Sequence, residues 1–227
     1  MRDACRTNWL AWATIGLGVL IIDLSLSGCS PAPEKGKATP SQSTPTKPAE
    51  KPGAAPAAAL PVVPLGLPPV PVPEDNPTTS EKVELGKLLY FDKRVSKDGT
   101  VSCATCHDPK MAWAEDTPTS EGIGHQKGGR NAPTVINAAY ATSQFWDGRA
   151  KTLEEQATGP VENPIEMGNK MEAVVEAFSK IPEYQERFQK AFGTGVTKEG
   201  FAKAIAAFER TVLSGDSAYD RFERRPE

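Results

Sequence analysis

The residues in this sequence that are best suited to chemistry are two cysteines and a histidine, Cys103, Cys106 and His107. Two cysteines that are separated by two residues and followed at once by histidine have the spacing that attaches a c-type haem covalently. The thiols add across the vinyl groups of the porphyrin, and the histidine supplies an imidazole nitrogen as the proximal ligand of the iron. The pattern therefore predicts one covalently bound haem c.

The same cysteines have three alternative interpretations: a disulfide, a redox-active dithiol and half of a zinc site. A structural zinc ion needs four ligands, and His125 is the only other histidine or cysteine in the predicted folded part that could supply one. A thioredoxin-like dithiol would require alternating strands and helices, which the sequence does not predict. Haem attachment is the best supported of the four interpretations.

Composition and charge narrow the range of functions. The chain has 227 residues, which allows one or two domains, and its 26 basic and 29 acidic residues give a net charge of −3. No basic block of the kind that binds nucleic acid is present before the last few residues, so no nucleic-acid partner is predicted. Most of the 21 prolines precede residue 80, which separates a proline-rich region from the remainder.

Residues 1–28 are predicted to be a lipoprotein signal peptide. A short positively charged start precedes an apolar run at 9–22, which is shorter than the roughly 20 residues that a membrane-spanning helix needs. The run leads to Leu26-Ser27-Gly28-Cys29, which resembles the lipobox of bacterial lipoproteins and makes Cys29 the predicted lipidation site. An uncleaved anchor and an ordinary signal peptide with a chance cysteine are the alternatives. The prediction is a protein on the periplasmic side of the cell envelope, lipid-anchored to a membrane.

Residues 29–76 are predicted to be a disordered linker rich in proline and alanine, because they show neither a helical nor an alternating apolar period. Within this segment, residues 60–73 contain more valine, leucine and proline, and we expect them to run as extended chain along the domain surface. Such a linker would let the folded domain work at a distance from the membrane.

Residues 77–222 are predicted to form an all-α, cytochrome c-like haem domain with long loops, followed by a short tail at 223–227. Residues 108–130 contain several glycines and are predicted to be a long functional loop. No stretch has a convincing strand pattern. The predicted helices are 79–90 with a capping box that starts at Thr78, two short ones at 133–139 and 152–157, and three more that begin near Asn169, Pro182 and Thr197.

Four stretches follow one another in a fixed order: LGKLLYFD at 85–92, the haem motif at 103–107, GRNAPT at 129–134 and FWDGR at 145–149. Together they resemble the N-terminal, peroxidatic half of the bacterial dihaem cytochrome c peroxidase family, which also includes the methylamine-utilisation dihaem enzyme. Family members carry a second haem domain, for which this sequence offers no counterpart. A fragment of a longer protein and a natural single-haem protein are both open interpretations.

For the haem, the resemblance implies that His107 is the proximal iron ligand and that Cys103 and Cys106 form the thioether links. His125 matches a distal histidine that some members bind to the iron in the resting state. A surface histidine without a role is the alternative. Met167 is a rival sixth ligand, because a thioether at this distance along the chain suits an electron-transfer cytochrome.

For the reaction, the resemblance implies that Glu166 and Gln156 are the polar residues of a peroxide pocket and that Trp146 lies between the two haems. Asn131 matches a side-chain ligand of a calcium ion. A carboxylate close to the haem also makes physical sense, because cleavage of hydrogen peroxide requires a proton to move between its oxygens. Each of these three residues has an alternative interpretation without a catalytic role. Glu166 could be a solvated loop glutamate, Gln156 a glutamine on a helix surface, and Trp146 a tryptophan that packs in the core.

Two functions are predicted. The first is haem-dependent reduction of hydrogen peroxide to water, with electrons from a small donor protein such as a cytochrome c or a cupredoxin and with a possible partner haem domain. The second is a membrane-tethered monohaem cytochrome c that transfers electrons without peroxidase turnover. The first requires a vacant or displaceable sixth position on the iron, and the second requires two protein ligands.

Overall fold

The computed structural model describes residue 60 and residues 62–224, and helices are the regular elements of that part. The predicted all-α fold is confirmed: the described residues form no strand, and only three isolated antiparallel bridges occur in the loops. The predicted signal peptide, Cys29, most of the linker and the last residues of the tail lie outside the described residues. Within the described residues, no helix has both the length and the apolar character needed to cross a membrane.

Seven α-helices and four short 3₁₀ turns follow one another along the described chain. The helices are α1 (Ser80–Phe91), α2 (Cys103–Cys106), α3 (Leu153–Glu162), α4 (Met171–Ser179), α5 (Pro182–Phe192), α6 (Lys198–Glu209) and α7 (Ala218–Glu223). The 3₁₀ turns are Lys93–Val95, Pro109–Met111, Ile123–His125 and Ala138–Tyr140. The predicted long loop at 108–130 therefore contains only two single turns.

The core is centred on α6, which packs against α1, α3 and α4. Its apolar residues recur every three or four positions, so Phe201, Ile205 and Phe208 fall on one face of the helix and are buried. On α1, Leu85 and Leu89 are buried in the same way against α6. The apolar stripe that the sequence predicts for α6 is confirmed. On α1 the sequence predicts that Leu85, Leu88 and Leu89 share one face, but Leu88 is 37% exposed and only the other two are buried.

The helix ends show where local sequence signals act. Pro182 is the first residue of α5, and Gly193 ends it in the left-handed region at φ 70°, where a residue without a Cβ pays no steric cost. Thr197 caps α6 by accepting a hydrogen bond from the Gly200 N–H at 2.9 Å. The predicted capping box at Thr78 is wrong by one residue, because the N-cap of α1 is Thr79.

Three other helix predictions need correction. The helix predicted to begin at Asn169 starts at Met171, because its N-cap Lys170 is extended and the Asn169 side chain donates instead to the Val95 carbonyl at 2.9 Å. No helix covers 133–139, since Asn137 adopts a φ of 61° and interrupts any helical run there. The helix predicted at 152–157 continues to Glu162, and Pro160 is accommodated within its last turn.

The segment before α1 is fixed to the helices by Asn76, which is fully buried. Its amide nitrogen donates to Glu154 Oε1 at 2.7 Å and to the Lys203 carbonyl at 3.0 Å. Its amide oxygen accepts a hydrogen bond from Lys82 Nζ at 3.1 Å. The end of the predicted linker is therefore part of the packed structure, and the folded part begins before residue 77.

Upstream of Asn76, the described residues 60 and 62–75 form no helix or strand and lie along the domain. The Leu65 carbonyl accepts a hydrogen bond from the Asp216 N–H at 2.7 Å, and the Pro68 carbonyl accepts one from the Tyr140 hydroxyl at 2.8 Å. This extended course matches the surface-lying chain that the composition of residues 60–73 predicts. Part of the segment predicted to be disordered is thus held by backbone and side-chain hydrogen bonds.

Gly86 lies directly against the backbone of α6, and its replacement by alanine is expected to destabilise the fold. A Cβ at this position would lie 1.9 Å from the Ala204 carbonyl oxygen, which belongs to helix backbone and cannot move away easily. Alanine favours a helix over glycine by at most about 1 kcal/mol, whereas overpacking costs typically about 1–3 kcal/mol or more. We therefore expect Gly86→Ala to lower the urea midpoint of unfolding at unchanged m-value.

Gly195→Ala is the matched control for this prediction, because a Cβ there would meet nothing within 4 Å. Its unfolding midpoint should stay at or slightly above that of the unaltered protein. Equal midpoints for the two variants would show that the helices can separate at Gly86 without cost.

Candidate haem site

A cavity of about 380 Å³ lies among α2, α3, α6 and the loops that follow α2. Its wall combines apolar side chains with the residues that the sequence analysis singled out. Cys103, Cys106, His107, Asn131, Trp146, Gln156, Glu166 and Met167 all line it, together with Val101, Val135, Ala138, Leu153, Ala157, Ile205 and Glu209. Residues from positions 101 to 209 thus converge on one space, and His125 is not among those that line it.

The histidine of the haem motif is held in one orientation by the chain. His107 Nδ1 lies 2.9 Å from the Pro133 carbonyl oxygen, which can only accept a hydrogen bond, so the ring carries its proton on Nδ1. Burial lowers the pKa of His107 and favours the neutral ring. The remaining nitrogen, Nε2, therefore keeps a lone pair that can bind a metal.

The two cysteines are free thiols in a one-turn helix, α2. The Ser102 N–H donates to Thr105 Oγ1 at 2.9 Å at the start of this turn. Cysteines three positions apart lie on the same side of a helical turn, so Cys103 and Cys106 can face one ligand edge. Burial raises the pKa of the Cys106 thiol to about 11, so that it stays protonated at neutral pH. Two thiols and an imidazole with a free nitrogen fit a c-type haem.

Glu166 is aimed into the cavity by a tight turn after α3. Asn163 Nδ2 donates to Glu166 Oε1 at 2.6 Å, and the Glu166 N–H donates to the Asn163 carbonyl at 3.1 Å. The Glu166 carbonyl accepts a hydrogen bond from the Ile123 N–H at 2.8 Å, which ties the turn to the long loop. Burial raises the pKa of Glu166, and the hydrogen bond from Asn163 opposes this by stabilising the carboxylate. Glu166 can therefore exchange a proton nearer neutral pH than an exposed glutamate.

Gln156, Trp146 and Asn131 also line the cavity, in three different settings. Gln156 is half-buried on α3. Trp146 is 64% exposed at the edge of the cavity and donates from Nε1 to the Asn131 carbonyl at 2.8 Å, so the alternative of a core tryptophan does not describe it. The Asn131 side chain donates to the Thr117 carbonyl at 2.7 Å. Among the described residues no group of three or more acidic, histidine or cysteine side chains could hold a metal ion, and calcium binding by Asn131 stays a prediction.

His125 lies on the outer side of the long loop. Its side chain is 92% exposed, and its Nδ1 is 2.5 Å from Glu121 Oε1. Both Gly124 and His125 adopt left-handed backbone angles, at φ 60° and 59°. Glycine tolerates this region freely, whereas histidine does so at a cost. Its role as a distal ligand stays a prediction, and it would require a conformation of this loop other than the one described.

Met167 lines the same cavity and is 4% exposed. Its N–H donates to the Pro160 carbonyl at 3.1 Å, so the backbone next to Glu166 is held against the end of α3. The structure brings Glu166 and Met167 to the same cavity. The alternative in which a methionine binds the iron therefore stays open.

Glu209 is the residue of the cavity wall that the sequence analysis missed. It lies at the end of α6, is 5% exposed, and its Oε2 has no hydrogen-bond partner among the described residues. Burial raises the pKa of Glu209 to about 8, the charge of Arg210 opposes this shift and the charge of Glu154 adds to it. Positions 201, 205 and 209 recur every four residues, so the buried face that includes Phe201 and Ile205 also includes Glu209. This four-residue spacing is the sequence signal from which the burial of Glu209 could have been predicted.

The haem-loaded protein is expected to lose stability between about pH 4.5 and pH 8 because of Glu209. In this range the folded state holds a proton on Glu209 that the unfolded state, with a pKa near 4.5, has released. The contribution of Glu209 to the free energy of unfolding therefore falls by roughly 1.4 kcal/mol per pH unit and levels off above the folded pKa. Urea unfolding at a series of pH values measures this slope.

Glu209→Gln should remove this part of the pH dependence, because glutamine does not titrate. Glu199→Gln is the control: it alters an exposed carboxylate on the same helix, which pairs with Lys203 at 2.6 Å, and should leave the slope unchanged. A slope that survives Glu209→Gln would mean that other groups produce it.

The fold and the cavity define a class of protein, a helical c-type haem protein whose haem site also contains a buried carboxyl group. The chain belongs to the di-haem cytochrome c peroxidase family, because the model of the family described as "Di-haem cytochrome c peroxidase" matches residues 80–227. This confirms the family resemblance of the sequence motifs. Family membership also implies a covalently bound haem c as the cofactor.

Individual relatives support the same assignment. Cytochrome c551 peroxidase of Pseudomonas aeruginosa is 44% identical over 161 residues, which cover 67% of this chain and 46% of that protein. Methylamine utilization protein MauG of Methylorubrum extorquens is 43% identical over 155 residues, or 67% and 44% of the two chains. A crystal structure described as a MauG-like protein associated with microbial copper homeostasis superimposes with a TM-score of 0.66 at 34% identity, covering 71% of this chain and 49% of that one. The chain thus spans less than half the length of these relatives.

Proposed function

We propose that this chain forms the site at which hydrogen peroxide is reduced to water in a haem-dependent peroxidase. The observation that carries the proposal is the half-buried Glu166 in the same cavity wall as His107 and the two thiols. A bound haem c would supply the iron on which peroxide is cleaved and the electrons stored for that cleavage. The relatives named cytochrome c peroxidase support the same reaction class.

His107 is proposed to hold the iron through Nε2, and Cys103 and Cys106 to fix the porphyrin edge through thioether bonds. The hydrogen bond from Nδ1 to the Pro133 carbonyl prevents the ring from rotating or from offering the wrong nitrogen. Because the attachment is covalent, the haem position does not depend on a flexible loop.

Glu166 is proposed to move the proton. As a carboxylate, it accepts a proton from the peroxide oxygen that approaches the iron, and as a carboxylic acid it returns that proton to the departing oxygen, which leaves as water. The Asn163 amide holds Oε1 at 2.6 Å and keeps the side chain in place through both states. Gln156, which is half-buried in the same wall, is proposed to orient the peroxide by hydrogen bonding.

Other parts of the proposal extend beyond the described residues. A small redox protein, a cytochrome c or a cupredoxin, is proposed as the electron donor, and a second haem domain as a relay close to Trp146, whose ring is exposed. Calcium at Asn131, a lipid anchor at Cys29 and a location on the periplasmic side of the cell envelope complete the proposal. One haem is proposed for this part of the protein, at the single haem motif.

The second candidate, an electron-transfer cytochrome, is favoured by the position of Met167 in the cavity wall. Visible spectra of the ferric and ferrous protein, with and without carbon monoxide, distinguish the two functions. The peroxidase predicts that carbon monoxide binds the ferrous haem and that peroxide changes the ferric spectrum. A haem that is low-spin in both states and unaffected by either ligand would exclude the peroxidase and support methionine ligation.

A further inference from the structure

A carboxylate outside the haem cavity ties the loop after the haem motif to a second segment of the chain. We call residues 112–117 the Trp113 segment and residues 131–135 the Pro133 segment. Glu115 belongs to the Trp113 segment, is half-buried and is not among the residues that line the cavity. It has no part in the proton transfer proposed for Glu166.

The side chain of Glu115 accepts three hydrogen bonds. Its Oε1 lies 2.5 Å from the Ala132 backbone nitrogen and 2.5 Å from the Ser120 hydroxyl oxygen, and both of these groups donate to it. Its Oε2 accepts from the Thr117 hydroxyl at 3.2 Å. Ala132 is only 7% exposed, so its N–H has little access to water as an alternative partner. Removal of the Glu115 side chain would therefore leave a buried donor unpaired.

The connection from the Ala132 N–H to the carbonyl that holds His107 is short and stiff. Pro133 follows Ala132 directly, and its ring fixes its own φ at about −65° and restricts the backbone of the residue before it. The Pro133 carbonyl oxygen lies 2.9 Å from His107 Nδ1, which donates to it. The place of this carbonyl oxygen therefore depends on where the Ala132 N–H is held.

The Trp113 segment is strained, and the Pro133 segment holds it in that conformation. Ala112 and Trp113 both adopt left-handed backbone angles, at φ 57° and 58°, which are costly for residues that have a Cβ. The Ala112 carbonyl accepts a hydrogen bond from the Thr134 hydroxyl at 2.6 Å, and the Trp113 carbonyl accepts one from the Val135 N–H at 3.1 Å. Strain of this kind persists only where surrounding contacts fix the backbone. The two segments are thus joined by their backbones as well as by a carboxylate.

The charge of Glu115 also acts on the haem motif. Burial raises the pKa of the Cys106 thiol to about 11, and the negative charge of Glu115 adds to this effect. Burial lowers the pKa of His107, and the Pro133 carbonyl and the charge of Glu115 are among the groups that oppose it. A negative charge near His107 would favour the ferric state of a bound haem iron over the ferrous state, which has one positive charge fewer.

We propose that Glu115 is a positioning residue for the proximal histidine. By holding the Ala132 N–H, it fixes the Pro133 carbonyl, and this carbonyl fixes the orientation of the His107 ring. The inference rests on the proposed function only in requiring a haem iron at His107. The contacts of Glu115 set the orientation of the ring, and its charge shifts the equilibrium between ferric and ferrous iron.

Two measurements on the haem-loaded chain test the proposal. They are the electron paramagnetic resonance spectrum of the ferric haem, which responds to the orientation of the axial imidazole, and the midpoint potential by spectroelectrochemistry. Glu115→Ala should shift and broaden the resonance spectrum, because the Pro133 carbonyl no longer holds the ring in one orientation. It should also move the reduction equilibrium about tenfold toward ferrous haem, which corresponds to a rise of about 59 mV in the one-electron potential.

Two conservative variants separate the contacts of Glu115 from its charge. Glu115→Gln keeps an oxygen that can accept from the Ala132 N–H, so its resonance spectrum should match that of the unaltered protein, while its potential should rise by less than that of Glu115→Ala. Glu115→Asp keeps the charge, but its carboxylate is one methylene short of Ala132, so its resonance spectrum should broaden. If Glu115→Ala does not fold, the pair of Glu115→Gln and Glu115→Asp decides.

Asp116→Ala is the matched control. It removes the neighbouring carboxylate of the same loop, which is exposed and forms no hydrogen bond or ion pair with the described residues. The resonance spectrum of this variant should be that of the unaltered protein. A change as large as that in Glu115→Ala would overturn the proposal, because any lost charge on the loop would then have the same effect.

Two other results would also overturn the proposal. An unaltered resonance spectrum in Glu115→Asp would show that the ring is held without the carboxylate, and a spectrum of Glu115→Gln as broad as that of Glu115→Asp would show that the contacts are not responsible. The peroxide rate constant of the unaltered chain keeps this test apart from the proposed function. The expected spectra without peroxide turnover would support the role of Glu115 and contradict the function, and peroxide turnover with unaltered spectra would do the reverse.

Discussion

Replacement of Glu166 by glutamine is expected to slow the reaction of the haem-loaded protein with hydrogen peroxide by about 10²–10⁴-fold. Glutamine occupies nearly the same volume and can keep a hydrogen bond to Asn163, but it cannot accept and return a proton. The loss should appear in the second-order rate constant for peroxide, measured by stopped flow on the ferric protein. The absorption spectrum of the resting protein should hardly change.

Glu162→Gln is the matched control for this substitution. Glu162 lies four residues earlier, at the end of α3, and pairs with Lys198 at 3.1 Å on the surface. Its replacement removes one carboxylate of the same type and should leave the peroxide rate constant unaltered. If Glu166→Gln retained the full rate constant, the carboxylate would have no part in the reaction and the electron-transfer cytochrome would be favoured.

The pH dependence of the same rate constant gives a second readout. In the proposed reaction the carboxylate form of Glu166 accepts the proton, so the rate constant should fall as the pH falls through the pKa of Glu166. Because burial raises this pKa, the fall should begin above the pH expected for an exposed glutamate. Asn163→Ala removes the hydrogen bond that stabilises the carboxylate and should move the fall to still higher pH.

Replacement of both Cys103 and Cys106 by alanine is expected to abolish covalent haem attachment completely. The two thiols are the cysteines of the cavity wall, and each is proposed to form one thioether bond. After expression with a haem-attachment system, the double variant should show no haem stain on a denaturing gel, whereas the unaltered chain should stain at its full mass. Each single variant should retain attachment through one bond.

His107→Ala separates attachment from iron ligation. This variant keeps both thiols and should still stain for haem under denaturing conditions, but its visible spectrum should change because the iron has lost the Nε2 ligand. Staining of the double cysteine variant at the same intensity would contradict the assignment of the motif. An unaltered spectrum in His107→Ala would mean that another residue supplies the ligand.

The all-α fold could be predicted because the apolar residues of the long helices repeat with helical periodicity, as Phe201, Ile205 and Phe208 do. The ends of the helices were harder to predict from the sequence. Thr78 and Thr79 both suit an N-cap, and only the course of the chain, with Thr79 Oγ1 close to the Lys82 N–H, decides between them. At 133–139, the apolar pattern competed with Thr134, whose hydroxyl accepts from the Ile136 N–H and favours a local turn.

The haem motif could be recognised in the sequence because its cysteines and histidine lie within five consecutive residues. Glu166 and Gln156 are far from Cys106 along the chain, and no spacing rule brings them to one cavity. Their assignment depended on the order of the family motifs. Glu209 was missed for the opposite reason: it occupies a predicted buried face, but a glutamate at the end of a helix is usually solvated, and its burial depends on the packing of α6 against α1 and α3.

The partner of His107 affects how strongly this histidine can assist bond cleavage. Pro133 offers a carbonyl, which leaves the proton on Nδ1, so the imidazole remains neutral and would be a moderate electron donor to a bound haem iron. A carboxylate in its place would draw that proton toward itself and give the ring more of the character of an anion. If His107 holds a haem iron, its electron donation would assist cleavage of the oxygen–oxygen bond only weakly, and the cleavage would depend mainly on proton delivery by Glu166. Substitutions that increase turnover would then be expected at Glu166 and Asn163 before they are expected at His107 and Pro133.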